Sequence, residues 1–146
     1  MRRLVIPCAL LVFFSVALTG CNWYRRHFPK EPFRRIKAAV AYEIVRDDPT
    51  ILIIDLRQPE EFQGDTGHLP HARNIPLARL PYVLREIAPY REETFLVYCR
   101  GGDSCGVEGA RLLAASGFDD AILIDRGIDA WIRQGYKTVL TVQGAE

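Results

Sequence analysis

Three short stretches of uninterrupted apolar residues are the feature of this chain that most restricts its fold. They are residues 51–54, 95–98 and 121–124. A strand with one solvated face alternates apolar and polar side chains, whereas a continuous apolar run is typical of a strand covered on both faces. Helical patterns lie between these runs. We therefore predict an α/β fold of three layers, in which a central parallel sheet is flanked by helices.

Apolar residues at helical spacing predict the helices between the strands. The first helix starts near Phe33 and ends at residues 47–49, because the Asp-Asp-Pro sequence there does not continue a helix. The other predicted helices cover residues 77–87, 106–116 and 128–134. Gly117 and Gly135 follow the last two, as expected for residues that end helices.

Each of the three predicted strands is followed directly by a polar residue. These residues are Asp55, Cys99 and Asp125. In open α/β sheets, ligands bind outside the carboxyl ends of the strands. We therefore expect the functional site at that edge of the sheet.

The segment after the second strand is the richest in chemistry. It reads Cys99-Arg100-Gly101-Gly102-Asp103-Ser104-Cys105-Gly106. Two consecutive glycines permit backbone angles that let amide N–H groups point toward a common centre. Ser104 is a predicted helix N-cap, and a helix start adds partial positive charge. An anion is stabilised in such a loop, and helix N-termini lower the pKa of cysteine thiols. We predict that Cys99 is a nucleophile or a sulfur carrier, because a merely buried cysteine would not explain the glycines and the cap.

Cysteine phosphatases also place their reactive loop between a strand and a helix. Their Cys-x5-Arg signature needs an arginine at the seventh position to bind phosphate in a bidentate manner. This chain has Cys105 there. The sequence therefore argues against a phosphatase.

Four ordered motifs, taken together, resemble a single rhodanese domain. They are the cysteine loop and the stretches IDLRQPEEF (residues 54–62), GHLPHARNIP (residues 67–76) and DRGIDAW (residues 125–131). The resemblance predicts a rhodanese domain over residues 33–141, followed by a tail at 142–146. It implies a rhodanese-like fold and a sulfurtransferase reaction. Cys99 would take the outer sulfur of a donor such as thiosulfate, release sulfite and pass its persulfide sulfur to cyanide or a cellular thiol.

The resemblance also implies roles for the rest of the loop. Amides between Arg100 and Cys105 would stabilise the thiolate and the persulfide, so the predicted anion-binding residues are Arg100, Gly101, Gly102, Asp103, Ser104 and Cys105. Arg100 attracts the anionic donor or is a solvated loop charge. The family loop often reads Cys-Arg-x-Gly-x-Arg-Ser. This chain departs from it with Ser104 at the second arginine, where Asp103 adds a negative charge beside it, and with Cys105 in place of a small residue. The reaction requires no metal and no organic cofactor.

Cys105 has three interpretations. It forms a disulfide with Cys99, it resolves the Cys99 persulfide, or it is a small buried residue that replaces serine. We prefer the third. A non-catalytic, membrane-tethered module that binds a partner or senses redox state through Cys99 and Cys105 is the alternative to an enzyme.

Other polar residues near the strand ends have mainly structural interpretations. We predict that Asp55 and Arg57 form an ion pair or hydrogen bonds that brace the strand end, in preference to contacting substrate. Arg126 faces the pocket or lies on the surface. His68 and His71 are a weak metal motif, and we expect His68 to fix its loop through backbone hydrogen bonds.

The first 20 residues have the pattern of an export signal. Arg2 and Arg3 precede an uncharged run over residues 4–18, which is short for a membrane-spanning helix. The Leu18-Thr19-Gly20-Cys21 sequence resembles the lipobox of bacterial lipoproteins. This resemblance implies cleavage before Cys21, a thioether-linked lipid on its sulfur and acylation of its new amino group with a fatty acid such as palmitate. An uncleaved anchor or an ordinary secretory signal is the alternative.

Residues 21–32 are predicted to tether the domain to the membrane. Asn22 follows the cysteine, as in lipoproteins exported to the outer membrane, so we expect a lipoprotein that faces the periplasm there. Residues 25–37 carry a net charge of +5, and the remainder of the processed chain carries −6. The basic segment attracts anionic headgroups or is a solvated linker.

The partners expected from the sequence are small sulfur donors, thiol acceptors and the membrane. The balance of 19 basic and 18 acidic residues in the whole chain argues against a nucleic-acid partner. No pattern in the sequence identifies a protein partner.

Overall fold

The computed structural model describes residues 31–101 and 104–140. The strands are β1 (Arg34–Ile36), β2 (Ile53–Asp55), β3 (Ala72–Asn74), β4 (Phe95–Tyr98) and β5 (Ala121–Ile124). The helices are α1 (Ala38–Asp47), α2 (Pro59–Gln63), α3 (Leu80–Val83), α4 (Ser104–Ala115) and α5 (Gly127–Arg133), and Ala88–Tyr90 form a 3₁₀ turn. The strands form one sheet in the order β1-β5-β4-β2-β3, and every pair of neighbours is parallel. The predicted α/β fold is confirmed.

The three apolar runs become the inner strands of this sheet. All residues of β2, β4 and β5 are buried. Side chains along β4 alternate between two clusters on opposite faces of the sheet: Phe95 and Val97 belong to one, and Leu96 and Tyr98 to the other. Burial on both faces explains why these runs contain no alternating polar residues.

Helices cover both faces of the sheet. Buried residues of α3 and α4, such as Leu80 and Leu113, belong to one cluster. Buried residues of α1 and α5, such as Ala41 and Trp131, belong to the other. The indole of Trp131 is 1% exposed and donates a hydrogen bond to the carbonyl oxygen of Lys137 at 3.0 Å. Trp131 therefore packs in the core between α5 and the sheet.

The first helix begins later than the sequence pattern predicts. Residues Arg34–Ile36 form β1, which pairs with β5 in the register Arg34↔Ile122, and α1 begins only at Ala38. Strand pairing with a buried neighbour overrides the local helical spacing here. The helix predicted over residues 77–87 is likewise reduced to α3 (Leu80–Val83), whereas Gly117 and Gly135, at φ +81° and +77°, end α4 and α5 as predicted.

Several predictions lie outside the described residues. They concern the signal sequence at 1–20, the lipidation of Cys21 and the tail at 142–146, together with the loop residues Gly102 and Asp103. Of the helices that lie in 31–101 and 104–140, none is long and apolar enough to cross a membrane.

Candidate active site

The strand order brings the three polar strand-end residues to one edge of the sheet. β4 lies between β2 and β5, so Cys99 at its end lies between the end of β2, at Asp55, and Asp125, which follows β5. Cys99 is 6% exposed. The site predicted outside the carboxyl ends of the strands therefore has Cys99 at its centre.

The start of α5 holds the backbone of the cysteine loop. The amide of Ile128 donates to the carbonyl oxygen of Cys99 at 3.1 Å, and the amide of Asp129 donates to the carbonyl oxygen of Arg100 at 3.0 Å. A methyl group at Gly127 would overlap the carbonyl oxygen of Cys99, and Gly127 has φ +45°. Only glycine permits this close approach, which explains why the DRGIDAW motif accompanies the cysteine loop.

Helix α4 also packs closely against the end of β4. A methyl group at Gly106 would lie 2.9 Å from Leu123 Cδ1 and 3.8 Å from Cys99 Cβ. One at Gly109 would overlap Leu56 Cδ1. The helix begins at Ser104, so this residue is the first helical residue and not the predicted N-cap. The glycines bring the first turn of α4 next to Cys99.

Cys99 and Cys105 form a disulfide, and their Cα atoms are 6.1 Å apart. The preferred interpretation of Cys105, as a buried replacement for serine that points into the helix packing, is therefore wrong. Cys105 is half-buried in the first turn of α4, and its Sγ lies 3.9 Å from the carbonyl oxygen of Leu56. The approach of α4 to β4 places its sulfur within bonding distance of Cys99.

The charge of Arg100 is compensated by a carboxylate. Its Nε donates to Glu61 Oε1 at 2.6 Å, and the two side chains are 50% and 33% exposed. The guanidinium is thus part of a surface ion pair between the loop and α2. The Glu61 carboxylate opposes the field that Arg100 presents to an anionic donor.

A cavity of about 120 Å³ lies beside Cys99, and its lining includes Gly101, Asp125 and two arginines, Arg35 and Arg126. Arg35 Nη1 pairs with Asp125 Oδ1 at 3.1 Å. Arg126 is exposed, has φ +55° and makes no ion pair or hydrogen bond through its side chain to the residues that the structure describes. The Arg126 guanidinium therefore supplies positive charge at the cavity.

Asp55 and Arg57 form the predicted ion pair. Arg57 Nη2 lies 2.6 Å from Asp55 Oδ2, and both side chains are fully buried. Arg57 also donates to the carbonyl oxygen of Gly67 at 2.8 Å, which ties the end of β2 to the loop that precedes β3. Burial lowers the pKa of Arg57, but its hydrogen bond and its attraction to Asp55 outweigh burial and leave that pKa raised. The pair braces the strand end, and both side chains are closed off from solvent.

Tyr98 and Cys99 belong to the two core clusters on opposite faces of the sheet. Its hydroxyl oxygen accepts a hydrogen bond from the amide of Leu69 at 3.1 Å. Burial raises the pKa of Tyr98 strongly, and the neighbouring Asp55 carboxylate raises it further. Tyr98 thus stays neutral and supports the motif at residues 67–76.

His68 has a structural position. His68 Nδ1 lies 2.9 Å from the carbonyl oxygen of Leu69, and the imidazole stacks on Phe62 with ring centroids 3.9 Å apart. His68 therefore fixes its loop as predicted. Over residues 31–101 and 104–140, no three His, Cys, Asp or Glu side chains cluster as metal ligands.

A family model for the rhodanese-like domain matches residues 37–134 of this chain. The chain belongs to the rhodanese-like domain family. This match includes Cys99 and the whole of α4 and α5. The four motifs that suggested the family are thus the four segments that meet at the end of β4.

Two curated relatives share this rhodanese-like region. The uncharacterized protein slr1261 of Synechocystis is 28% identical over 97 residues, which are 66% of this chain and 51% of that protein. The tRNA uridine(34) hydroxylase of Cronobacter sakazakii is 30% identical over 101 residues, 66% of this chain and 28% of that enzyme. The chain spans about half or less of the length of these relatives.

A solved rhodanese-like domain has the same fold. The crystal structure of the rhodanese-like domain protein from Staphylococcus aureus is 25% identical in sequence, with a TM-score of 0.58, and the match covers 73% of this chain and 99% of that protein. The likeness extends over nearly all of a solved single domain and supports the family assignment.

Sequence reasoning missed three contributors to this rhodanese-like site. Glu61 pairs with Arg100, Arg35 lines the cavity, and Gly127 permits the contact of α5 with Cys99. Gly127 carries a signal, since it lies in the DRGIDAW motif. Glu61 likewise lies in the IDLRQPEEF motif, but its pairing with Arg100, 39 residues away, has no local signal.

Proposed function

We propose that this chain is a sulfurtransferase that carries sulfane sulfur as a persulfide on Cys99. The Cys99 thiolate attacks the outer sulfur of an anionic donor such as thiosulfate. The bond from cysteine sulfur to outer sulfur forms, the sulfur–sulfur bond of the donor breaks, and sulfite leaves with the electron pair. A thiophilic acceptor then takes the outer sulfur and restores the thiolate.

The position of Cys99 is the single observation that carries this proposal. Its sulfur lies at the carboxyl end of an inner parallel strand, beside a small cavity and next to the first turn of a 12-residue helix. Partial positive charge at a helix start stabilises an anionic sulfur. Thiolate and persulfide are both anionic, so one environment serves both states.

The charge at the cavity supports an anionic donor. Arg126 has no carboxylate partner among the described residues, whereas Arg100 and Arg35 are each paired with one. A guanidinium binds an oxyanion through charge-assisted hydrogen bonds. We therefore assign capture of the donor's sulfonate oxygens to Arg126 rather than to Arg100.

Thiocyanate formation from thiosulfate and cyanide tests the proposal on the full chain, purified in detergent and reduced beforehand. Wild type is expected to turn over, and Cys99→Ser is expected to lose activity completely because serine oxygen forms no persulfide. Ser116→Ala is a control away from the site, since the hydroxyl of Ser116, the residue after α4, donates to the carbonyl oxygen of Leu112. Wild-type protein that is inert with thiosulfate and with other persulfide donors would contradict the proposal.

The disulfide favours a second candidate, a thiol-redox module without turnover. In that case Cys99 and Cys105 change between dithiol and disulfide, and a partner recognises one of the two states. The same assay separates the candidates. Activity that needs Cys99 excludes the non-catalytic module.

We further propose that the rhodanese domain extends over residues 33–141 and is an exported lipoprotein anchored through Cys21. The arginines, apolar run and lipobox-like sequence of residues 1–21 support this. An outer-membrane position facing the periplasm follows from Asn22. Mass spectrometry of the mature protein is expected to report an N-terminus at residue 21 with attached acyl chains. An intact, unmodified chain that begins at Met1 would refute the anchor.

A further inference from the structure

We propose that Cys105 is the intramolecular acceptor that resolves the Cys99 persulfide, releasing its outer sulfur as sulfide and leaving the Cys99–Cys105 disulfide. This inference rests on the proposed sulfurtransferase function. It assigns a catalytic role to the residue that the sequence pattern treats as a replacement for serine. In this form the protein reduces sulfane sulfur with its own two thiols.

The two cysteines lie on elements that are held in place independently of their sulfurs. The backbone of Cys99 is fixed by the hydrogen bond from the amide of Ile128. Cys105 belongs to the first turn of α4, which is packed down through Gly106 and Gly109. The Cα separation of 6.1 Å lies within the range in which a disulfide forms without backbone movement. A reduced pair on this scaffold stays close enough to react.

The structure also indicates which sulfur Cys105 attacks. Its Sγ is bonded directly to Cys99 Sγ, so the geometry matches the product of attack on the inner sulfur of the persulfide. Cys105 is absent from the described residues that line the 120 Å³ cavity, whereas Cys99 is among them. Cys105 lies instead near the carbonyl oxygen of Leu56. We place the outer sulfur in the cavity and the attacking thiol on the Leu56 side, the arrangement in which attacking and leaving groups lie on different sides of Cys99 Sγ.

The step balances without an external oxidant. The Cys105 thiolate forms a bond to Cys99 Sγ, the bond from Cys99 Sγ to the outer sulfur breaks, and that sulfur leaves with the electron pair as hydrosulfide. The outer sulfur gains two electrons, and the two cysteine sulfurs together lose two. Combined with the first step, one thiosulfate and two thiols give sulfite, hydrogen sulfide and one disulfide. A dithiol reductant then restores the two thiols by exchange.

The experiment uses the full chain in detergent, reduced and then freed of reductant under anaerobic conditions. One portion of thiosulfate is added, sulfite and sulfide are measured, and peptide mass spectrometry locates the added sulfur and the disulfide. Wild type is expected to release about one sulfide per sulfite and to accumulate the Cys99–Cys105 disulfide. Cys105→Ser and Cys105→Ala are expected to release sulfite and keep the added sulfur on Cys99. Their sulfide yield should fall at least about tenfold.

The outcomes distinguish this inference from the function on which it rests. Wild-type protein that releases sulfite and keeps both a persulfide on Cys99 and a reduced Cys105 overturns the inference and supports the sulfurtransferase. If both Cys105 variants release as much sulfide as wild type, the inference is also overturned. An absence of sulfite from wild type refutes the sulfurtransferase itself. If neither Cys105 variant releases sulfite, the wild-type protein decides the question. Formation of the Cys99–Cys105 disulfide at the same rate as sulfide supports the role of Cys105, and sulfide release without that disulfide overturns it.

Discussion

The carbonyl oxygen of Cys99 accepts a hydrogen bond of 3.1 Å from the amide of Ile128, the second residue of α5. Cys99 is therefore held by a motif that begins 26 residues later, in addition to its own strand. Arg126, at φ +55°, and Gly127, at φ +45°, make the turn that aims the α5 amides at the cysteine loop. The same turn presents the Arg126 side chain at the cavity.

Gly127→Ala should damage both stability and sulfur transfer, because the added methyl would overlap the Cys99 carbonyl oxygen. We expect a loss of at least about 3 kcal/mol in the free energy of unfolding, measured by urea denaturation. Gly135→Ala is the matched control, since Gly135 also has a positive φ but no atom lies within 4 Å of the added methyl. It should cost about 1–2 kcal/mol and keep activity. Equal losses of unfolding free energy in the two variants would show that backbone strain alone, without the overlap at Cys99, causes the destabilisation.

Arg126→Gly separates charge from backbone conformation. Glycine tolerates φ +55°, so stability should stay equal or rise by about 1 kcal/mol. The KM for thiosulfate should rise about tenfold, because the cavity loses a charge-assisted contact. The KM of Arg126→Lys for thiosulfate should lie between the values for wild type and Arg126→Gly, since lysine keeps the charge but lacks the planar guanidinium. The thiosulfate KM of wild type should also rise with ionic strength more steeply than that of the glycine variant. An unchanged KM would assign donor capture elsewhere.

Arg57→Met should leave the buried Asp55 carboxylate without its partner. We expect the free energy of unfolding to fall by about 3–5 kcal/mol. Arg46→Met provides the contrast, because Arg46 is 55% exposed where it pairs with Glu43 and Asp47, and it should cost at most about 1 kcal/mol. Adding Asp55→Asn to the Arg57 variant should recover part of the loss, as a double-mutant cycle would measure. A loss no larger than that of the Arg46 variant would contradict this assignment.

Tyr98 should make the fold sensitive to alkali. Burial, followed by the Asp55 carboxylate, raises the pKa of Tyr98 in the folded protein above the ordinary value of 10.0. The folded state therefore holds this proton more tightly than the unfolded state. The resulting stability is complete below pH 10 and is lost as the pH rises toward the folded pKa, by about 1.4 kcal/mol per pH unit.

Tyr98→Phe should remove this contribution to the slope of unfolding free energy against pH. It should also cost about 1–3 kcal/mol at neutral pH, because the Leu69 amide loses its acceptor. Tyr82→Phe, at a side chain that is 85% exposed, should keep the wild-type slope. Identical slopes in wild type and Tyr98→Phe between pH 10 and pH 12 would rule out the proposed linkage.

The inner strands were predictable because burial on both faces gives an uninterrupted run of apolar residues. Residues 95–98 and 121–124 form β4 and β5 as predicted, and the run at 51–54 is displaced slightly into β2 at Ile53–Asp55. The edge strands have no such apolar run. Arg34 and Arg35 of β1 are exposed, so its strand conformation depends on pairing with β5 and is not encoded by apolar periodicity.

The sequence by itself predicted the parallel sheet and the sheet edge at which Cys99 lies, because burial, glycine conformation and helix starts are local properties. Only the tertiary structure decided which side chains Cys99 and Arg100 contact. Cys105 meets Cys99 because glycines in α4 permit close packing on β4, and Arg100 meets Glu61 because α2 lies beside the loop. Contacts of this kind depend on how separate elements pack. No spacing along the chain encodes them.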